Sequence, residues 1–171
     1  MAAIDLTPFG IFYIFDPSQA GWLIPEEVPV AKAHLDANKL TLFDINGSVS
    51  MTTFLGSEIG SGTYGHVFKL ADKINGFDAV VKVIPTRDYD THSVVTEVLS
   101  QIIVVKETEQ FDSDGLKGPF APRVLMFGKS EDSFYIIMER VDINFNLVIK
   151  SLSVFPNLKV FSGKDFVISL S

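Results

Sequence analysis

Three glycines, Gly60, Gly62 and Gly65, lie close together in the 171-residue sequence. Residues without a Cβ can turn tightly and can present backbone N–H groups to an anion such as a phosphate. The residues after Gly65 alternate in polarity and are rich in β-formers, and a second strand-like segment follows the turn signal Asn75-Gly76. The spacing therefore predicts an anion-binding loop that joins one strand to the next.

A charged residue, Lys82, lies inside the apolar segment 79–84. An ammonium group in apolar surroundings needs a paired anion. The spacing of apolar residues from Val94 to Ile103 predicts a helix, with Glu97 at the border of its apolar face. We therefore expect the Glu97 carboxylate to point towards the sheet and to pair with Lys82. The alternative is an edge-strand lysine whose amine reaches water along its aliphatic chain.

These features resemble the amino-terminal lobe of the eukaryotic-type protein kinase superfamily. The three glycines and Val67 match its GxGxxGxV loop, and residues 79–82 match the strand that carries its ATP-positioning lysine. Glu97 stands in the place of the family's αC glutamate, and residues 134–141 resemble the strand, gatekeeper and hinge that follow. The resemblance covers the amino-terminal lobe only.

The resemblance implies an ATP site formed by the glycine loop, Lys82 and the hinge. Lys82 and Glu97 would form the ion pair that holds the lysine at the α and β phosphates. Met138 would be the gatekeeper behind the nucleotide, and backbone groups of Glu139 and Val141 would bond the adenine edge. The implied nucleotide-binding residues are Ile59, Gly60, Ser61, Gly62, Thr63, Tyr64, Gly65, Val67, Val80, Lys82, Met138, Glu139 and Val141. Valine at position 80, where the family usually has alanine, would narrow this site.

The resemblance further implies an α+β fold for residues 52–171, with a five-stranded antiparallel sheet and one αC-type helix. The strands are expected at 54–59, 66–70, 77–84, 124–128 and 134–138. Between the helix and the fourth strand, glycine and proline residues predict a loop at 111–122.

Residues 1–51 are expected to form an N-terminal β/α extension packed on this lobe. Its short aromatic run predicts a buried strand at 10–15, and two glutamates and a first-turn proline predict a helix from about 29 to 37. The Asn46-Gly47 pair predicts a hairpin turn. Either the extension is a docking or regulatory segment, or it supplies strands that close the hydrophobic edge of the lobe. We favour the second interpretation, because apolar strands more often need a partner face than mark a binding site.

The groups that carry out phosphoryl transfer in kinases have no counterpart in this sequence. The HRD and DFG motifs, which hold the catalytic aspartate and the magnesium ligands, are absent, and Asp165-Phe166-Val167 lacks the glycine. Residues 146–152 resemble helix αD, and Ser162 to Asp165 resemble the start of helix αE. We therefore expect a truncated kinase, a gene split in two, or a retained half that docks on another protein. No metal ligands are predicted, and magnesium would accompany ATP only if another chain supplied the missing lobe.

Composition narrows the remaining function classes. A net charge of −7 disfavours nucleic acid as a partner, because phosphate backbones require clustered Lys and Arg. The sequence has no cysteine, which excludes disulfides and thiolate metal sites. The apolar run at 9–15 is too short and too interrupted for a signal peptide or a membrane span, so we expect a cytoplasmic protein. His66 is expected to face solvent without a catalytic role, since no neighbouring carboxylate in the sequence could orient it.

The leading hypothesis is thus an ATP-binding lobe of a Ser/Thr-type protein kinase that cannot transfer phosphate alone. The alternative is a non-catalytic kinase mimic that binds and regulates another kinase or signalling protein through apolar αC and αE surfaces. A dinucleotide-binding oxidoreductase is disfavoured, because no helix follows the glycines. Whether the chain is an enzyme therefore stays open at the level of sequence.

Overall fold

The computed structural model describes residues 2–18, 24–62 and 65–141. Within these ranges the chain is mostly β-structure, with one α-helix. The strands are β1 (Ile4–Asp5), β2 (Ile14–Phe15), β3 (Ala33–Asp36), β4 (Lys39–Phe43), β5 (Val49–Gly62), β6 (Gly65–Leu70), β7 (Ala79–Pro85), β8 (Asp112–Ser113), β9 (Leu116–Lys117), β10 (Val124–Lys129) and β11 (Ser133–Glu139). The helix α1 covers Thr91–Thr108, and a 3₁₀ turn covers Thr7–Phe9.

Seven strands form one antiparallel sheet in the order β10-β11-β7-β6-β5-β4-β3. Its two edges come together, because Lys32, next to β3, forms a parallel bridge with Lys129 at the end of β10. The Lys129 N–H also donates to the Ala31 carbonyl at 2.9 Å. The twist of neighbouring strands accumulates around seven strands, and the result is a nearly closed, barrel-like sheet.

The predicted fold class is wrong. We expected an α+β lobe with a five-stranded sheet and an αC-type helix, whereas the described chain is mainly β with a seven-stranded, barrel-like sheet. The difference comes from β3 and β4, which were expected in an N-terminal extension, whereas β4 pairs with β5 and β3 pairs with β4 in the same sheet. The boundary predicted between residues 51 and 52 therefore lies inside β5.

The helix predicted from about 29 to 37 is also wrong. This segment forms β3, together with an isolated bridge from Val30 to Ile11. Ala31 and Ala33 are buried and alternate with exposed polar neighbours, a period of two that suits a strand. Of the strand predicted at 10–15, only Ile14–Phe15 is part of a strand, paired with β1.

The local turn signals are confirmed. The Asn46-Gly47 pair lies in the connection between β4 and β5, where the Gly47 N–H donates to the Asp44 carbonyl at 3.0 Å. Asn75 and Gly76 both have positive φ, at 53° and 84°, as this type of tight turn requires. The predicted loop at 111–122 contains a small hairpin of β8 and β9.

Two hydrophobic cores lie on the two faces of the sheet. The larger core joins α1 and the N-terminal segment to alternate residues of the strands, among them Ile11, Phe15, Val67, Val80, Ile84, Val94, Val98, Phe127, Phe134 and Met138. The second core joins residues on the opposite face, among them Leu40, Leu42, Val81, Leu125, Tyr135 and Ile137. Successive strand residues point to opposite faces, so β7 contributes Val80 to the first core and Val81 to the second.

Polar contacts hold α1 at both ends. Asp90 caps its N-terminus, accepting a hydrogen bond from the Ser93 N–H at 2.7 Å. The Lys129 ammonium donates to Thr91 Oγ1 at 2.8 Å. At the other end the buried Thr108 hydroxyl accepts from the Phe120 N–H at 2.9 Å. The helix is therefore fixed against both β10 and the loop that follows it.

Candidate functional site

Lys82 is a buried cation in an apolar frame. It is 3% exposed and lies on β7, where Val67 of β6 and Ile136 of β11 are its cross-strand partners. Along its own strand it stands between Val80 and Ile84, which point to the same face. All four neighbours are buried members of the core that contains α1. The amine therefore leaves the sheet on the helix side, and the edge-strand alternative does not describe it.

Glu97 lies on the facing side of the gap between β7 and α1. It is partly exposed and, together with Ile84 and Val94, lines a cavity of about 10 Å³. A volume of this size is at the lower limit for one water molecule. Neither Lys82 nor Glu97 is free of interaction partners. Glu97 therefore lies beside Ile84, which is two residues along β7 from Lys82.

The predicted walls of the adenine site come together in the same core. Val67, Val80 and Met138 are each no more than 2% exposed, and Ile59 packs against them while remaining partly exposed. The predicted wall residues therefore belong to one apolar cluster, and Ile59 lies on its partly exposed side.

Met138 lies next to the buried side-chain amide of Gln101, a residue that the sequence did not single out. Gln101 is 3% exposed; its side-chain amide donates to the Pro122 carbonyl at 2.8 Å and lies 3.9 Å from Met138 Sδ. The sequence signal that could have identified Gln101 is its polar side chain within the apolar pattern of residues 94–103. The predicted gatekeeper is thereby held between the helix and the segment before β10.

Glu139 and Val141, predicted to bond the adenine edge, lie at and just beyond the end of β11. The Glu139 carboxylate accepts from the Arg123 N–H at 3.0 Å, and the Glu139 N–H donates to the Arg123 carbonyl at 2.9 Å. The Arg140 N–H donates to the Asp78 carbonyl at 2.7 Å. Both the side chain and the backbone N–H of Glu139 therefore bond to Arg123.

The glycine loop is the end of a long hairpin. β5 runs to Gly62 and β6 begins at Gly65, and Ser61 pairs with His66. The predicted residues Thr63 and Tyr64 lie outside the described residues. The three glycines therefore lie where one strand is followed by the next, in agreement with the expectation from the sequence.

Gly65 has a reason for lacking a side chain that involves no ligand. Its φ is 140°, and a Cβ there would lie 2.0 Å from the Val83 carbonyl oxygen. The close approach of β6 to β7 therefore requires glycine at this position. The third glycine of the motif serves strand packing whether or not it also serves a phosphate.

His66 has an orienting carboxylate, contrary to the prediction. Its Nδ1 contacts Glu58 Oε1 across the β5–β6 hairpin, and its side chain is 56% exposed, so the expected solvent exposure is confirmed. Irregularities in β5 on either side of Glu58 leave it paired with Phe68, two residues along β6 from His66. Such bulges leave no clear sequence signal, which explains why the pair was missed.

The other candidate features concern metals and membranes. No group of three or more His, Cys, Asp or Glu side chains suited to a metal ion occurs in the described ranges 2–18, 24–62 and 65–141. Within the same ranges, the helix is not long and apolar enough to cross a bilayer. Residues 146–152 and the segment from Ser162, predicted as helices, lie outside the described part of the chain.

Comparison with known proteins gives no family assignment. No protein-family model matches the chain, and no curated protein matches it either.

Proposed function

We propose that this chain binds an adenine nucleotide beneath the β5–β6 hairpin, against β7 and the end of β11. Lys82 is the proposed phosphate-side cation, Glu97 its positioning carboxylate, and Ile59, Val67 and Met138 the apolar surface for the base. The observation that carries this proposal is the 3% exposure of Lys82 within a frame of four buried apolar residues. Burying a charge costs free energy unless a partner compensates it. Buried ionisable groups therefore cluster at functional sites, which supports a binding role for Lys82.

The proposed chemistry is electrostatic. An ammonium group in a low-dielectric frame attracts phosphate oxygens more strongly than an exposed lysine does. In this proposal the Glu97 carboxylate on α1 positions the Lys82 amine towards the phosphates. This is how the kinase resemblance would use the pair, and it requires no metal ligand from the described residues.

In this proposal the chain binds the nucleotide but does not transfer a phosphoryl group by itself. The 171 residues contain neither the HRD nor the DFG motif, so the catalytic aspartate and the magnesium ligands would come from outside this sequence. An adenine-nucleotide site also fits a cytoplasmic location, where ATP is abundant. Reconstitution with a chain that carries these motifs is the condition under which we expect kinase activity.

The alternative, a mimic that docks through the apolar surface of αC, has less support. The apolar residues of α1 are largely buried inside the chain, including Val94, Val98, Ile102 and Val105. The second surface it would use, αE, lies outside the described residues. Nucleotide binding is therefore the better-supported proposal.

The test is equilibrium binding of ATP by isothermal titration calorimetry. We expect Lys82→Met to weaken binding about 10- to 100-fold, because a hydrogen bond to a charged group contributes roughly 1.5–3 kcal/mol. Lys39→Met is the matched control, since Lys39 is an exposed lysine on β4 of the same sheet. Absence of ATP binding to the folded wild-type chain, or equal affinities of the two variants, would contradict the proposal.

A further inference from the structure

A second cavity lies at the other end of α1, outside the proposed nucleotide site. Its volume is about 310 Å³, and the 3₁₀ turn, the β6–β7 turn, the C-terminal half of α1 and the start of β10 all contribute to its lining. Phe9, Phe77, Ile102 and Val105 are among its apolar residues. This volume is at the lower end of the range of small-molecule sites, and too small for a folded partner segment.

Two cationic side chains, Arg123 and Lys106, lie at the rim of this cavity, and they differ in their ion pairs. Arg123 is neutralised, because its Nη1 lies 3.1 Å from Glu109 Oε2 and its Nε lies 3.7 Å from Glu139 Oε1. Its guanidinium also lies 5.9 Å from the centre of the Phe77 ring. Lys106, in contrast, is exposed, and no carboxylate of the described residues forms an ion pair with it. Glu109 also lines the cavity and is paired with Arg123, so Lys106 is the one lining cation that has no carboxylate partner among the described residues.

We propose that this cavity binds a small amphipathic monocarboxylate, a molecule with an apolar aryl or alkyl body and one anionic end. The body would lie against Phe9, Ile102 and Val105, and its carboxylate would lie at the rim beside Lys106. Apolar walls with a single polar fixing group are the usual composition of small-molecule sites. None of the residues that line this cavity belongs to the proposed nucleotide site, so either proposal can fail without the other.

The experiment is an NMR titration of the ¹⁵N-labelled full chain with 4-phenylbutyrate and with its neutral amide. We expect the acid to shift the amide signals of residues 102–109 and 123–125, and to bind about 2- to 5-fold more tightly than the amide, the range for an exposed ion pair. Lys106→Met should make the two affinities equal, and Lys117→Met, at an exposed lysine of β9, should leave the preference intact.

A second variant separates binding from folding. Phe77 is 36% exposed, so Phe77→Ala removes part of the cavity wall with little effect on the core, and it should weaken both ligands. Failure of millimolar 4-phenylbutyrate to shift the cavity residues would overturn the proposal. If the acid and the amide bind the wild-type chain with equal affinity, the proposed contact between the ligand carboxylate and Lys106 is wrong.

Discussion

Val67 on β6 and Lys82 on β7 are cross-strand partners, so a buried valine and a buried ammonium stand side by side on the face of the sheet that α1 covers. Cross-strand partners share a face and lie within contact distance of each other. β6, the second strand of the glycine hairpin, begins two residues before Val67, at Gly65. This geometry relates the glycine motif to the lysine motif, which are separate in the sequence.

The first prediction concerns the expected pairing of Lys82 with Glu97. In a double-mutant cycle of Lys82→Met and Glu97→Gln, we expect a coupling free energy of about 0.5–3 kcal/mol in urea unfolding, because each substitution removes the other residue's partner. The control cycle combines Glu97→Gln with Lys39→Met and should be additive to within about 0.5 kcal/mol. Additivity in the first cycle would show that the two residues do not interact.

The second prediction tests the larger core. Phe127 and Phe134 are both fully buried, and their ring centroids lie 6.2 Å apart in a stacked arrangement. Phe127→Ala should lower the free energy of unfolding by about 3–5 kcal/mol, through lost burial and the cavity left behind. Phe54→Ala is the control, because Phe54 is 51% exposed, and it should change stability by no more than about 0.5 kcal/mol. Similar losses in the two variants would mean that β10 and β11 do not face the helix as described.

The third prediction concerns the packing of the segment after α1. A Cβ on Gly118 would lie 1.5 Å from the Thr108 carbonyl oxygen, at the C-terminus of the helix. Gly118→Ala should therefore destabilise the chain by at least about 1–3 kcal/mol, as forced overpacking does. A Cβ on Gly56 would lie 3.5 Å from its nearest neighbour, the Lys69 carbonyl oxygen, so Gly56→Ala should be close to neutral. Thermal unfolding of the two variants and the wild-type chain measures both effects. A neutral Gly118→Ala would contradict this contact.

The fourth prediction is a pH dependence at the start of α1. Hydrogen bonds from the side chain and the backbone N–H of Ser93 lower the pKa of Asp90 below its usual value of 3.8. A lowered pKa in the folded state means that the ionised cap stabilises the chain above the unfolded-state pKa, and that this contribution is lost as the pH falls through the folded-state pKa. The difference in Tm between the wild-type chain and Asp90→Asn should therefore be largest above about pH 5 and shrink in acid. A difference in Tm that does not change with pH would exclude this role of the charge.

Elements with local signals could be predicted from the sequence. Asn75 and Gly76 determine the turn between β6 and β7 by their positive φ preference, and α1 follows from the period of its apolar residues. Each of these predictions depends only on residues a few positions apart.

Features that depend on distant pairing could not be predicted in the same way. The turn between β3 and β4 contains Ala37 at a φ of 52°, and alanine gives no turn signal. The contact of Lys32 with Lys129, which nearly closes the sheet, joins residues from opposite ends of the described chain. Without that contact in view, residues 1–51 resemble an addition to a five-stranded sheet, and the fold class was wrong for this reason.

The proposed nucleotide site is tested most directly by an NMR titration of the ¹⁵N-labelled chain with ATP. We expect the shifted amide signals to cluster at residues 59–67, 80–82 and 138–141, and the shifts to be lost in Lys82→Met but retained in Lys39→Met. Shifts confined to other parts of the chain, or their persistence in Lys82→Met, would contradict the central role of this lysine.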